Sequence, residues 1–195
     1  MSPGATKSGL LIAGLVLAAG CAQPDDGEEA MVEEAVVEEA VVEEAMVEEA
    51  MAQEMPEATA EAVWAFLEAA DFRNTWELWP GKGEKYEGSE PHGALLTTYV
   101  NAPALQAVSD LAGEMPVWSV VVKDNFMPDG MLGATTVMYK VEGYNPEASD
   151  WWWAKFMPDG SVDMDGMAQG RVEMCIGCHA GGADNDYLMT AKIGP

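Results

Sequence analysis

Val117-Trp118-Ser119-Val120-Val121-Val122-Lys123 is the stretch that decides the fold. Branching at Cβ crowds a helix but packs well on a pleated surface, so a run this rich in valine favours an extended strand. The same reading recurs downstream in Thr135-Thr136-Val137-Met138-Tyr139-Lys140-Val141 and Trp151-Trp152-Trp153-Ala154-Lys155-Phe156, and upstream in Leu95-Leu96-Thr97-Thr98-Tyr99-Val100-Asn101. Phe126-Met127-Pro128-Asp129-Gly130 returns unchanged as Phe156-Met157-Pro158-Asp159-Gly160. Proline fixes φ and glycine takes the positive-φ corner, so both copies read as hairpin-type turns rather than ligand loops. Successive strands joined by short turns imply an antiparallel sheet. Alternation along Trp151-Trp152-Trp153 predicts that at least one of these rings is exposed or at a dimer interface.

Helices flank these strands. Thr59 can cap a helix whose Val63, Phe66, Leu67 and Ala70 form an apolar stripe and which ends near Asp71. Phe72, Trp76, Leu78 and Trp79 follow as core residues, and Pro103 sits in the first turn of a short helix reaching Leu111. A last helix, Gln169 to His179, packs against the sheet.

That helix ends in Cys175-Ile176-Gly177-Cys178-His179. C-x-x-C-H is a haem c attachment pattern: each thiol closes a thioether to a vinyl group, and the histidine binds the iron. A thioredoxin-like redox pair and half of a zinc site share the cysteine spacing. The redox pair belongs early in a βαβ unit, and zinc needs two further ligands. The chain has three cysteines and two histidines, so only Cys21 and His92 remain. Haem c with its iron is the expected cofactor, bound by Cys175, Cys178 and His179, with His179 as the metal ligand. Compact helical cytochromes place this motif near the start of the chain, and four-helix cytochromes place it late but have no strands. Here the motif is late and the body is sheet. The expected fold class is α+β: an antiparallel β-sheet with flanking helices and a C-terminal haem-attachment helix.

The formal net charge of −25 over 195 residues belongs mostly to the first third. Residues 1–20 read as a signal peptide, with Lys7 in a basic n-region and Leu10 to Ala19 too short to span a bilayer. Leu17-Ala18-Ala19-Gly20-Cys21 resembles a bacterial lipobox, although Ala18 stands where a bulkier residue is usual. Cys21 is thus a lipidation candidate; the alternative is an ordinary cleaved signal followed by an incidental cysteine. Residues 21–57 form an acidic tether of repeats such as Val32-Glu33-Glu34-Ala35 and Val47-Glu48-Glu49-Ala50. Their period matches neither a helical nor a strand stripe, and glutamates without lysine partners repel one another. Residues 58–195 are the haem domain. The expected location is the periplasm or cell envelope, lipid-anchored on the periplasmic side of the outer membrane. There is no basic patch for nucleic acid, no P-loop and no dinucleotide fingerprint.

From about Phe72 to Tyr187 the chain resembles the cytochrome P-460 family, which includes the cytochromes c′-beta. The likeness rests on Pro91-His92-Gly93 leading into Tyr99-Val100-Asn101 and on Val120-Val121-Val122-Lys123-Asp124. It continues through Met138-Tyr139-Lys140 with Gly143-Tyr144, Asp150-Trp151, and Cys175 to His179 with Asp186-Tyr187 behind. The resemblance implies a five-coordinate haem in a usually dimeric sheet protein. It also implies that Lys123 is the lysine which, in one branch, is bonded covalently to the haem edge. That branch oxidises hydroxylamine to nitric oxide or nitrous oxide. The c′-beta branch keeps an ordinary haem under aromatic side chains and binds nitric oxide. A six-coordinate electron carrier, with a methionine or His92 as sixth ligand, is the third reading.

Each candidate has a plainer role beside it. Lys123 is either the cross-linking, catalytic lysine or a solvated strand-end lysine. Phe126 either caps the cofactor's distal face or packs against the turn. His92 is a sixth ligand, a proton relay or a loop residue. Hydroxylamine oxidation needs a base in the pocket, and Asp124, Asp129, Glu142 and Glu173 are the carboxylates considered for it. The expected partners are a small gaseous or nitrogenous ligand, a redox protein such as a small cytochrome c, the membrane, and a second copy of the chain.

Overall fold

Strand formers build a seven-stranded antiparallel sheet in a computed structural model that describes residues 55–195. The signal-peptide reading, Cys21 and the repeats up to Met51 lie outside the described residues. In chain order the strands are β1 (Glu77–Leu78), β2 (Tyr86–Glu87), β3 (Leu95–Val100), β4 (Val120–Phe126), β5 (Leu132–Lys140), β6 (Trp151–Phe156) and β7 (Gln169–Gly170). They run β1-β3-β4-β5-β6-β7 across the sheet, with β2 also pairing β3. Helices α1 (Ala60–Ala69), α2 (Phe72–Thr75), α3 (Ala102–Asp110) and α4 (Glu173–His179) complete the α+β fold.

The register sorts side chains onto two faces. Val121, Met138 and Trp153 stand side by side across β4, β5 and β6, and so do Lys123, Thr136 and Lys155. On the opposite face Val122, Val137, Tyr139, Trp152 and Phe156 pack under Val63 and Leu67 of α1. Val121, Met138, Trp151 and Trp153 form the other core with Ala104 and Val108 of α3 and with Leu188 and Ile193 of the C-terminal segment. Apolar cover on both faces corrects the expectation for the tryptophans: Trp151, Trp152 and Trp153 are 0%, 1% and 2% exposed. Alternation sends them to two cores rather than to a core and the surface.

Element ends differ from the sequence reading for local reasons. The second long strand begins at Val120 instead of Val117, because Trp118 adopts a left-handed φ of 73° that no strand accommodates. It then runs through Lys123 to Phe126. The third spans Leu132–Lys140, starting earlier than Thr135. The last helix is shorter than Gln169 to His179: Gln169–Gly170 pairs with β6, and Gly170 turns the chain at φ 89°. Asn101, read as a strand end, caps α3 through Oδ1, which also accepts from Val120 N–H at 2.9 Å. The Pro-Asp-Gly turns form as read, with Gly130 and Gly160 both at φ 82°.

Candidate haem site

A cavity of about 760 Å³ opens between the Lys123 face of the sheet, the His92 loop and α4. Residues three and four apart share one side of a helix, so Cys175, Cys178 and His179 all reach it. Val121 and Met138 give an apolar wall, Lys123 and Thr136 a polar one, and Met174 and Met189 stand at an exposed lip.

His179 is 9% exposed, and its Nδ1 lies 2.7 Å from the carbonyl oxygen of Tyr187. A carbonyl only accepts, so Nδ1 carries the proton and Nε2 keeps its lone pair, the form a metal requires. Burial pulls the imidazole below its ordinary pKa; the Tyr187 bond opposes that shift, and nearby Lys123 adds to it. Trp153 packs edge-on against the ring at 4.7 Å.

Lys123 forms no ion pair among the described residues. Burial, helped by Lys82, pushes its ammonium down to about 8, so roughly a tenth is free amine at pH 7, far more than for an ordinary lysine. His92 belongs to the same cavity. Asn125 Nδ2 donates to the carbonyls of Lys123 and Ala134 at 2.9 and 3.2 Å, which turns its Oδ1 toward His92 Nδ1 at 3.1 Å. His92 Nδ1 therefore donates, and its Nε2 keeps the lone pair. Burial, with Lys123 and His179 adding, lowers His92 to about 4, which keeps it neutral at pH 7.

The wall suits a haem c. Cys175 and Cys178 are free thiols with no disulfide between them. Trp153 lines the cavity, and its buried indole Nε1 has no hydrogen-bond partner among the described residues. Cys175, Cys178 and His179 would hold the group.

Phe126 is not part of the cavity wall. Three residues beyond Lys123, strand alternation turns its side chain to the Asp124 face, where the ring takes the Lys85 ammonium 4.7 Å from its centroid. None of the four carboxylates considered from sequence reaches the wall either. Asp124 faces the opposite side and binds Arg73, Asp129 caps its own turn, and Glu142 and Glu173 are exposed. Glu87 and Glu90 line the cavity instead. They flank a loop recognised only by its Gly and Pro, and nothing in the sequence says which way such a loop faces. Thr136 and Trp153 were legible in principle, since period-two alternation and the pairing with Lys123 and Met138 put them on this face.

A family model described as Cytochrome P460 matches residues 69–190, which takes in β1 to β7 and the whole cavity wall. No curated protein matches the chain.

Proposed function

The chain belongs to the cytochrome P460 family, whose members carry haem c with iron, and on that footing we propose that it oxidises hydroxylamine to nitric oxide or nitrous oxide. The observation that carries this reading is Lys123, a half-buried lysine without an ion pair among the described residues, in the same cavity as Cys175, Cys178 and His179.

Bound to these residues, haem c supplies an iron that accepts electrons from the substrate nitrogen. His179 would hold the metal through Nε2, its other nitrogen being tied to the Tyr187 carbonyl. His92 is the proton acceptor, taking at Nε2 the protons that leave with the electrons; it replaces the carboxylates considered from sequence. Val121 and Met138 keep bulk water from that side. Lys123, as free amine, would supply the nitrogen for a bond to the ring edge. That bond would cost Nζ and the ring carbon one hydrogen each, and a peroxide-class oxidant would have to take both with two electrons, ending as water. Export, lipid attachment at Cys21, a small cytochrome as electron acceptor and pairing with a second copy belong to the same proposal. Export accords with attachment of c-type haem outside the bacterial cytoplasm.

A six-coordinate electron carrier is the second reading, and one distance favours it. The His92 and His179 rings lie 6.1 Å apart between centroids at an interplanar angle of 83°. Two imidazoles sharing one metal at bonds of about 2 Å would have centroids separated by roughly 6 Å. Absorption spectra of the wild type and Lys123→Ala decide between these readings. A strongly red-shifted Soret band lost in the variant, with a cross-link that survives thioether cleavage in the intact mass, supports the oxidase. An ordinary five-coordinate spectrum in both overturns it in favour of a nitric oxide binder, and a low-spin spectrum indifferent to nitric oxide favours the electron carrier.

A further inference from the structure

The carbonyl that receives the His179 proton sits on a strained corner. Asp186 and Tyr187 are consecutive non-glycine residues at φ 54° and 62°, in the left-handed region. Such backbone persists only where its surroundings hold it. Asp186 accepts from Lys140 Nζ at 2.8 and 3.0 Å and from Met115 N–H at 2.8 Å. Its backbone carbonyl accepts from Trp151 Nε1 at 2.9 Å. Lys140 is 4% exposed and Asp186 6%; the second carboxylate on Lys140, Glu114 at 3.2 Å, is in solvent. A pair so deeply buried is a poor device for stability alone, because desolvation offsets much of its attraction.

We propose that Lys140 and Asp186 are positioning residues that set the donor strength of His179 by fixing the Tyr187 carbonyl on its Nδ1–H. The inference rests on His179 being the iron ligand. An acceptor held tightly on Nδ1 raises the basicity of Nε2, as outer partners of metal-bound histidines do. A more basic ligand favours ferric over ferrous iron. β5 and β6 supply Lys140 and Trp151 from one face of the sheet, so the sheet controls the ligand although His179 lies on α4.

The test is the iron–histidine stretching band and the midpoint potential of the holoprotein. Asp186→Asn keeps the shape and removes the ion pair. Trp151→Phe removes the second restraint without stranding a charge, and it decides alone if Asp186→Asn does not yield holoprotein. Both variants are expected to lower the stretching frequency and raise the potential, whereas Glu114→Gln leaves both at wild-type values. Unchanged band and potential in Asp186→Asn and Trp151→Phe, whatever happens to the melting temperature, overturn the proposal. A wild-type ferrous protein that is high-spin and five-coordinate yet shows no iron–histidine band overturns the ligand assignment instead, and in a low-spin protein the potential alone decides, which separates the two failures.

Discussion

Arg73 grips Asp124 with two hydrogen bonds, Nε to Oδ2 at 2.6 Å and Nη2 to Oδ1 at 2.8 Å, on the sheet face that turns away from Lys123. The carboxylate is buried, and Thr135 Oγ1 also donates to it at 2.7 Å. Neighbours in sequence thus serve different ends: Lys123 meets the cavity and Asp124 locks α2 to β4. Arg73→Ala leaves a buried charge uncompensated and should destabilise by about 2–4 kcal/mol, below the cost for a fully buried pair because the guanidinium is 37% exposed. Urea unfolding measures that loss. The absorption spectrum should match the wild type, because the lost contact lies across the sheet from the cavity.

Lys123 gives stability a pH dependence of definite sign in protein lacking the cross-link. Its folded value of about 8 lies below the ordinary 10.5. Between those values the unfolded chain still binds a proton that the folded protein has released, so stability rises with pH across that window. The gain is complete above the ordinary value and is lost as pH falls through about 8. Its ceiling is roughly 3 kcal/mol. Burial raises Cys175, Tyr86, Tyr99 and Tyr139 and thereby opposes this rise, so urea titrations across the window should show it as the difference between the wild type and Lys123→Met. Cross-link yield, read by intact mass, should climb through the same lower pH, since only the free amine reacts.

The sheet was legible in the sequence because β-branched runs and two Pro-Asp-Gly turns speak locally, and the haem motif because its spacing carries its own chemistry. What could not be read was what lies above each face. Trp152 is buried because α1 covers it, a fact that resides in residues about ninety positions earlier. The start of β4 depends on the left-handed Trp118, which leaves no mark in residue types. Asp124 looked as eligible a base as any, until strand phase placed it beside Arg73.

His92 separates acid–base chemistry from ligation. If it accepts protons, His92→Ala should lower kcat for hydroxylamine by about 10²–10⁴, with KM changed far less and the ferric spectrum still five-coordinate. Steady-state kinetics with an added one-electron acceptor would measure the first effect and absorption the second. A low-spin wild type that becomes high-spin on substitution marks His92 as a ligand and removes it from proton transfer.

Gly93 places His92 by having no side chain. A Cβ there would stand 2.8 Å from the Phe126 carbonyl oxygen and 3.2 Å from its amide nitrogen, closer than backbone tolerates. Neither atom can swing away, because both belong to the sheet. Gly93→Ala must therefore lift the loop off the end of β4, and the neighbouring His92 moves with it, stretching the 3.1 Å contact to Asn125. The expected result is a kcat loss approaching that of His92→Ala, with haem content and thioether attachment unchanged. Adding Gly93→Ala to His92→Ala should cost little more activity than His92→Ala alone, since both act through one imidazole. A double variant whose losses multiply would mean that the loop contributes to the site through another group, with Glu90 the first to examine.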